Sequence, residues 1–374
     1  MSRRAGVAVA LGVVLWIGVV VVAVMRSGNP GPPKFAPLPS TTCPIPEIGV
    51  DSTLSYEGNE RQRAATVAAI RTLLAPEIVR DTLLWNQIEP VEGARDWSVP
   101  DRIVEQLRAA GIEPLLVVLG SPPWANGVPA STPGHDLYVP ASAARRTVWL
   151  EHYSNFVAAA ARRYRGAVRR WEIWNEPNLA QYWRPRPDPV AYREVYETLR
   201  ATIMRVDPKA QVAVGGLGDL AVASALDISG LAFLRELAST HPPLGPVAVH
   251  AYATGDHAPD LHVAGENNFD DIERVREQLM AAGDRASIWV TEFGWSSATT
   301  GEQLQAHDVA TALRMLEDRY AFVSVATYFV DHDVPPRYFQ GLLDQGLRAK
   351  PAALVFRARA RRQAARCTAR NARP

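Results

Sequence analysis

The sequence of 374 residues contains only two cysteines, few lysines and almost no net charge. Two cysteines are too few for a disulfide-dense scaffold and cannot form a zinc site alone. Lys+Arg 40 against Asp+Glu 39 leaves a formal net charge of +1, which argues against nucleic-acid binding. The sequence also lacks an internal repeat. With 47% hydrophobic and 21% charged residues, it has the composition of an ordinary globular protein.

The chain begins with one long hydrophobic run. Residues 5–25 are uncharged and largely apolar, with Arg3 and Arg4 before them and Arg26 after them. As a helix this run spans about 30 Å, the thickness of a bilayer hydrocarbon core. Because it is longer than a signal-peptide core and ends without small residues, we expect an uncleaved membrane anchor; a removed secretion signal is the alternative. The upstream arginines predict that the rest of the chain lies outside the cell membrane.

The remaining chain divides into a linker, a large folded domain and a short tail. Residues 27–42 are rich in Pro, Gly and Ser and show no apolar periodicity, which predicts an extended linker. With the anchor in residues 1–26, the folded domain occupies residues 43–366. An Arg-containing tail follows in residues 367–374.

Within the folded domain, short apolar runs alternate with helix-length amphipathic segments. The predicted strands are residues 48–50, 78–83, 114–119, 170–174, 211–215, 247–252, 287–291 and 323–329. The predicted helices are residues 61–74, 100–110, 147–164, 189–206, 231–239, 270–282, 303–320 and 351–362. Eight strand–helix units with strands apolar on both faces predict a (β/α)8 TIM barrel, preceded by the one transmembrane helix. A doubly wound sheet is the alternative, but no Gly-rich phosphate loop follows the first strand.

Two glutamates lie at the ends of predicted strands, where barrel enzymes carry their catalytic groups. Glu176 follows strand four in the segment Trp171–Asn178, and Glu292 follows strand seven in the segment Trp289–Ser296. Strands four and seven lie nearly opposite each other across a narrow eight-stranded barrel. Two carboxyl groups about 5–5.5 Å apart are what a retaining glycosidase requires.

These motifs resemble those of the clan A glycoside hydrolases, the four/seven barrel type. The segment IWNEPNLAQYW is most similar to family 39, whereas the Glu-Phe-Gly-Trp context is also similar to family 5. The resemblance implies that Glu176 is the acid/base, that Glu292 is the nucleophile and that Asn175 binds the sugar 2-hydroxyl. It also implies no cofactor. The spacing of the histidines fits no zinc pattern, so we expect no metal.

Other strand ends match the clan residue by residue. Arg80 in strand two matches the arginine that keeps the nucleophile ionised, and an opposite charge at 4–6 Å does lower a carboxylate's pKa. His250 and Tyr252 match its His-x-Tyr motif, in which the tyrosine hydroxyl faces the nucleophile. After strand eight, many members have Trp where this chain reads Thr327-Tyr328-Phe329, and Tyr328 is our candidate for the missing sugar platform.

Further residues are candidates without a specific motif. Trp124 and Trp295 lie on loops of the predicted active face, and aromatic faces suit pyranose rings. Glu172 has the same strand parity as Glu176, and we interpret it as a structural ion-pair member. Asp331, His332 and Asp333 follow strand eight and either line a substrate subsite or lie outside it.

Cys43 precedes strand one and Cys367 follows the last helix. The first and eighth units of a closed barrel are neighbours, so we expect a disulfide between them in an oxidising compartment.

The sequence therefore predicts a retaining glycoside hydrolase that acts on the O-glycosidic bonds, which we expect to be β, of an extracellular oligo- or polysaccharide. A carbohydrate-binding pseudoenzyme and a transglycosylase of cell-envelope assembly are the alternatives. Both carboxylates are present, which disfavours the pseudoenzyme.

Overall fold

The computed structural model describes residues 31, 33, 46–239 and 243–371. These residues form a closed barrel in which each strand is parallel to the next and strand eight pairs with strand one. The strands are β1 Glu47–Asp51, β2 Ile78–Leu84, β3 Glu113–Leu119, β4 Arg170–Asn175, β5 Gln211–Leu217, β6 Val247–His250, β7 Ile288–Glu292 and β8 Val323–Tyr328. The predicted (β/α)8 barrel is confirmed.

One long helix follows each strand and covers the outside of the barrel. The helices are α1 Glu60–Ala69, α2 Ser98–Ala109, α3 Ala143–Arg163, α4 Pro189–Val206, α5 Gly230–Ala238, α6 Asp271–Ala281, α7 Glu302–Asp318 and α8 Pro351–Asn371. Shorter helical segments occupy loops at Trp85–Ile88, Pro123–Asn126 and Ser297–Thr300, and Ile70–Leu74 extends α1 as a π-helical turn. Because helices cover the sheet, its strands are buried on both faces; every residue of β3, for example, is buried.

Capping residues explain where several helices begin. Asp188 precedes α4 and its side chain accepts hydrogen bonds from Val190 N and Ala191 N, while Pro189 occupies the first helical position. Ser229 caps α5 in the same way, through Ala232 N. These helices begin within one residue of their predicted starts.

Other predicted boundaries were wrong. The helix expected from residue 147 begins at Ala143, because Ser142 provides the N-cap. The last helix continues to Asn371 instead of ending at residue 362, so part of the expected tail is helical.

The sequence predictions for the N-terminus fall outside the described residues. This applies to the expected anchor in residues 5–25 and to Cys43, as well as to the side chain of Cys367. Among the helices that the structure does describe, none is long and apolar enough to cross a membrane.

Ion pairs fill the end of the barrel at which the strands begin. Arg170, the first residue of β4, contacts Glu47 of β1 and Glu113 of β3. Glu77 precedes β2 close to this group; burial raises its pKa to about 7, and the charge of Glu47 adds to the rise. The opposite end, where the strands finish, carries the polar groups described below.

Candidate active site

Glu176 and Glu292 lie together at the carboxyl end of the barrel. Glu292 is the last residue of β7 and Glu176 follows the last residue of β4. Both are largely buried, with 11% and 12% of their side-chain surfaces exposed. The backbone at the end of β4 is strained, since Trp174 and Glu176 have φ angles of 71° and 42°. This conformation is typical of functional sites.

Arg80 is the hub of the charged groups inside the barrel. Its Nη1 donates to Glu292 Oε1 at 2.8 Å, and it also contacts Asp51. Its Nε and Nη2 donate to the two oxygens of Glu172 at 3.2 and 3.0 Å, so Glu172 is the ion-pair partner that the sequence suggested. Nη2 also donates to Asn175 Oδ1 at 2.9 Å, which leaves the amide NH2 of Asn175 to face a ligand. One guanidinium therefore orients the groups of three strand ends.

His250 connects the two glutamates. Its Nδ1 lies 2.8 Å from Glu176 Oε1 and its Nε2 lies 3.4 Å from Glu292 Oε1. The imidazole fits only because β5 carries glycine beside it: a Cβ on Gly216 would lie 2.0 Å from His250 Nε2. Likewise, a Cβ on Gly218 would lie 2.6 Å from Glu176 Oε1. The glycines of β5 were not identified from the sequence, although the run GGLG at residues 215–218 was a visible signal.

Tyr252 holds the other oxygen of Glu292. Its hydroxyl donates to Glu292 Oε2 at 2.8 Å, so the two carboxylate oxygens have separate donors, Arg80 and Tyr252. The hydroxyl of Tyr252 thus faces Glu292, as the family resemblance implied.

The environment shifts the pKa values of the two glutamates in opposite directions. Burial raises the pKa of Glu176, and the charge of Glu292 adds to this, whereas His250 opposes it. Burial alone would also raise the pKa of Glu292, but His250, Arg80 and Tyr252 together lower it below its ordinary value. Burial opposes protonation of His250, yet the two carboxylates raise its pKa. The arrangement therefore favours one protonated carboxyl beside one ionised carboxylate.

A pocket of about 410 Å³ opens beside Glu292. Its walls include Asn175 and Arg80 at the base, and the loops that follow β1 and β8 at the sides. Glu176 is not among the residues that line it, so the pocket lies on the Glu292 side of the pair. Asp51, the last residue of β1, and Glu57, in the loop that follows it, line the pocket as well and were missed, because neither lies in a motif.

The prediction that Tyr328 is a sugar platform was wrong. Its ring is fully buried behind the barrel, where it packs against Phe293 and Phe356. Side chains alternate along a strand, and the next residue, Phe329, faces the pocket instead. Phe329 makes an edge-to-face contact with Tyr252 at 6.2 Å between ring centroids. The alternation with Thr327, whose side chain lies inside the barrel, was the signal that could have identified Phe329.

The prediction for Trp295 was also wrong. The residue is 1% exposed, packs against Phe269 and Phe293, and donates its Nε1–H to His257 O. It therefore offers no face to a sugar. Trp124 is half-buried and donates to Glu89 O, but it does not line the pocket, and its role stays a prediction.

Within the described ranges, no group of three or more His, Cys, Asp or Glu side chains is placed to hold a metal ion.

Comparison with known proteins supports the resemblance. No protein-family model matches the chain. A β-xylosidase from Geobacillus stearothermophilus is 34% identical over 193 residues, which are 46% of this chain and 37% of that protein. The chain thus spans well under half the length of this curated relative.

Solved structures with the same fold include glycoside hydrolases of families 39 and 5. A family 39 glycoside hydrolase from Bacteroides cellulosilyticus WH2 has a TM-score of 0.64 at 23% identity, over 86% of this chain and 65% of that chain. A family 39 enzyme from Xanthomonas axonopodis pv. citri has a TM-score of 0.62 at 21% identity, over 89% and 70%. A family 5 protein, of subfamily 18, from Streptomyces cattleya has a TM-score of 0.62 at 17% identity, over 89% and 82%. At these identities the structures establish a shared fold, and the predicted resemblance to clan A glycoside hydrolases, with features of families 39 and 5, is confirmed.

Proposed function

We propose that this protein is a retaining glycoside hydrolase that cleaves β-glycosidic bonds by double displacement. The observation that carries the proposal is the pair Glu176 and Glu292, joined by His250 and shifted toward opposite protonation states. A retaining mechanism needs a carboxylic acid beside an ionised carboxylate. Because the curated relative is a β-xylosidase, a β-xyloside is the first substrate to test.

In the first step, the Glu292 carboxylate attacks the anomeric carbon of the sugar. The bond to the leaving group breaks, and Glu176 donates its proton to the departing oxygen. Arg80 and Tyr252 hold Glu292 in place, one on each oxygen, and keep it ionised at neutral pH. Asn175, whose carbonyl oxygen is fixed by Arg80, is left to donate its NH2 to the sugar 2-hydroxyl.

In the second step, water replaces the enzyme on the anomeric carbon. Glu176, now a carboxylate, accepts a proton from the water, whose oxygen displaces Glu292. The sugar leaves with its original anomeric configuration, and both glutamates return to their starting protonation states. If another sugar hydroxyl takes the place of water, the same chemistry gives transglycosylation.

Two variants of the full chain test the assignment. Glu292→Gln should abolish turnover of every substrate. Glu176→Gln should slow glycosides with poor leaving groups far more than 4-nitrophenyl glycosides, because activated leaving groups need little protonation. Glu277→Gln, an exposed glutamate on α6, is the control and should leave turnover unchanged.

The outcome also separates the alternatives. An inverted product anomer excludes the retaining mechanism, and equal losses in both variants on all leaving groups exclude the assigned roles. Sugar binding without turnover by the unaltered protein indicates the pseudoenzyme. Oligosaccharide products formed from an added acceptor sugar indicate a transglycosylase.

We further propose that the folded domain lies outside the cell membrane, anchored by residues 5–25. The uncharged run and its upstream arginines support this orientation. The full chain should then fractionate with membranes and resist a salt wash, whereas deletion of residues 1 to about 35 should give a soluble, active domain. A mature N-terminus downstream of Met25, found by sequencing, would indicate secretion instead.

A further inference from the structure

One wall of the pocket carries a buried carboxylate that lacks a full set of partners. Glu57, in the loop after β1, is 8% exposed and lines the pocket. Thr66 Oγ1 donates to its Oε1 at 2.8 Å, and Arg63 holds its backbone oxygen. Its Oε2 has no hydrogen-bond partner in the part of the chain that the structure describes. A buried carboxylate oxygen without a donor is unfavourable, so a group from a ligand is its natural partner.

A histidine from the loop after β8 lines the same pocket. His332 is 7% exposed, and Asp331 Oδ1 lies 3.0 Å from its Nδ1. Asp331 is itself fixed by Ser52 Oγ, which donates to its Oδ2 at 3.0 Å. Because Asp331 takes the Nδ1 side of the ring, Nε2 is left for a group in the pocket. Burial opposes the charge on His332, but Asp331 and Glu57 raise its pKa, so Nε2 is favoured as a donor.

Both side chains are therefore oriented before any ligand arrives. Helix α1 fixes Glu57 through Thr66 and Arg63, and Asp331 fixes His332. Groups held in this way bind a hydroxyl without losing further side-chain freedom. Glu57 and His332 differ in this respect from Asn175 and Glu292 in the same pocket, because those two residues are held by Arg80, which also orients the nucleophile.

We propose that Glu57 and His332 bind hydroxyl groups of the sugar that sits over Glu292, with Glu57 Oε2 as acceptor and His332 Nε2 as donor. The inference rests on the proposed glycosidase function and narrows its substrate class. Asn175 is assigned to the 2-hydroxyl, so the pair is assigned to the 3- or 4-hydroxyl. The substrates are then glycosides in which that hydroxyl is free, because a substituted oxygen has no proton to donate to Glu57.

The test compares the 4-nitrophenyl glycoside that the full chain cleaves fastest with its 3-deoxy and 4-deoxy analogues. The unaltered protein should lose about 100-fold or more in kcat/KM with one of the two analogues, because a buried polar group is then left unpaired. Glu57→Gln should lower kcat/KM for the parent glycoside by roughly 10–100-fold. The same variant should cleave the sensitive deoxy analogue at nearly the rate of the unaltered protein.

Glu105→Gln is the matched control. This glutamate lies on α2, is half-exposed, and pairs with Arg102 at the surface. It should behave like the unaltered protein with all three substrates. If Glu57→Gln does not fold by circular dichroism, His332→Gln carries the same comparison.

Each outcome decides the proposal. A loss in Glu57→Gln that is equal for the parent and both deoxy analogues would overturn it, because the side chain then acts on structure alone. If no glycoside is cleaved by the unaltered protein, the proposed function fails, and calorimetric titration with free xylose tests the site separately. Binding that Glu57→Gln weakens about tenfold or more supports the pair, and unchanged or absent binding overturns it.

Discussion

Replacement of His250 by glutamine should move the pH–activity profile toward alkaline pH. In the structure one imidazole contacts both glutamates, at 2.8 Å from Glu176 and 3.4 Å from Glu292. When protonated, it lowers the pKa of each carboxyl group. A neutral glutamine removes that charge, so both pKa values should rise.

The two limbs of the profile should move by different amounts. An opposite charge at this range shifts a carboxylate's pKa by about 1–3 units. Glu292 keeps Arg80 and Tyr252, so the acid limb should move by less than about one pH unit. Among the main influences on the pKa of Glu176, the contact with His250 is the one that lowers it. The alkaline limb, which reports Glu176, should therefore move by about one to two pH units. The profile should therefore broaden as it shifts.

The assay is kcat/KM between pH 4 and 9, which reports the pKa values of the free enzyme. A phenyl glycoside is preferable to a nitrophenyl glycoside, because its departure needs the proton from Glu176. His262→Gln is the control, since His262 is exposed and pairs with Asp270 at 2.9 Å. An alkaline limb that stays in place, or moves toward acid, would refute the charge assigned to His250.

Three further predictions concern single contacts. Tyr252→Phe removes a donor to Glu292 and should lower kcat/KM about 10-fold or more and move the acid limb upward, as pH-dependent kinetics would reveal. The pKa of Glu77 is raised to about 7 in the folded protein, so its ionisation destabilises the fold increasingly from about pH 4.5 to 7. Glu77→Gln should therefore raise the melting temperature at pH 8 and change it little at pH 5. Equal changes at both pH values would contradict the assignment. The expected bond between Cys43 and Cys367 should leave no thiol to alkylate without reductant, and its loss should cost about 4–5 kcal/mol in the chain-entropy model; two reactive thiols would exclude it.

The local sequence was sufficient for the barrel and for the two glutamates. Runs of apolar residues mark the eight strands, because strands of a parallel barrel are buried on both faces. Polar residues that directly follow such runs lie at the carboxyl end of the barrel, independently of the conformation of the loops. Glu176 and Glu292 were therefore expected to meet at one end of the barrel, whereas Arg80, which reaches Glu292 from β2, was assigned from the family resemblance.

The features of the site that depend on contacts between distant segments became visible only in the tertiary structure. The sequence misplaced Tyr328 and Trp295, because the face that a strand end presents is set by barrel closure and by packing against outer helices. It matched His250 to a family motif but gave no sign that the ring joins both carboxylates, since that contact needs the glycines of β5. Glu57 lies in a loop without any motif, and only the folded loop brings it to the pocket beside His332. The local hydrophobic pattern thus determines which residues lie at the carboxyl end of the barrel, whereas barrel closure and helix packing decide which of them face the pocket and what each contacts there.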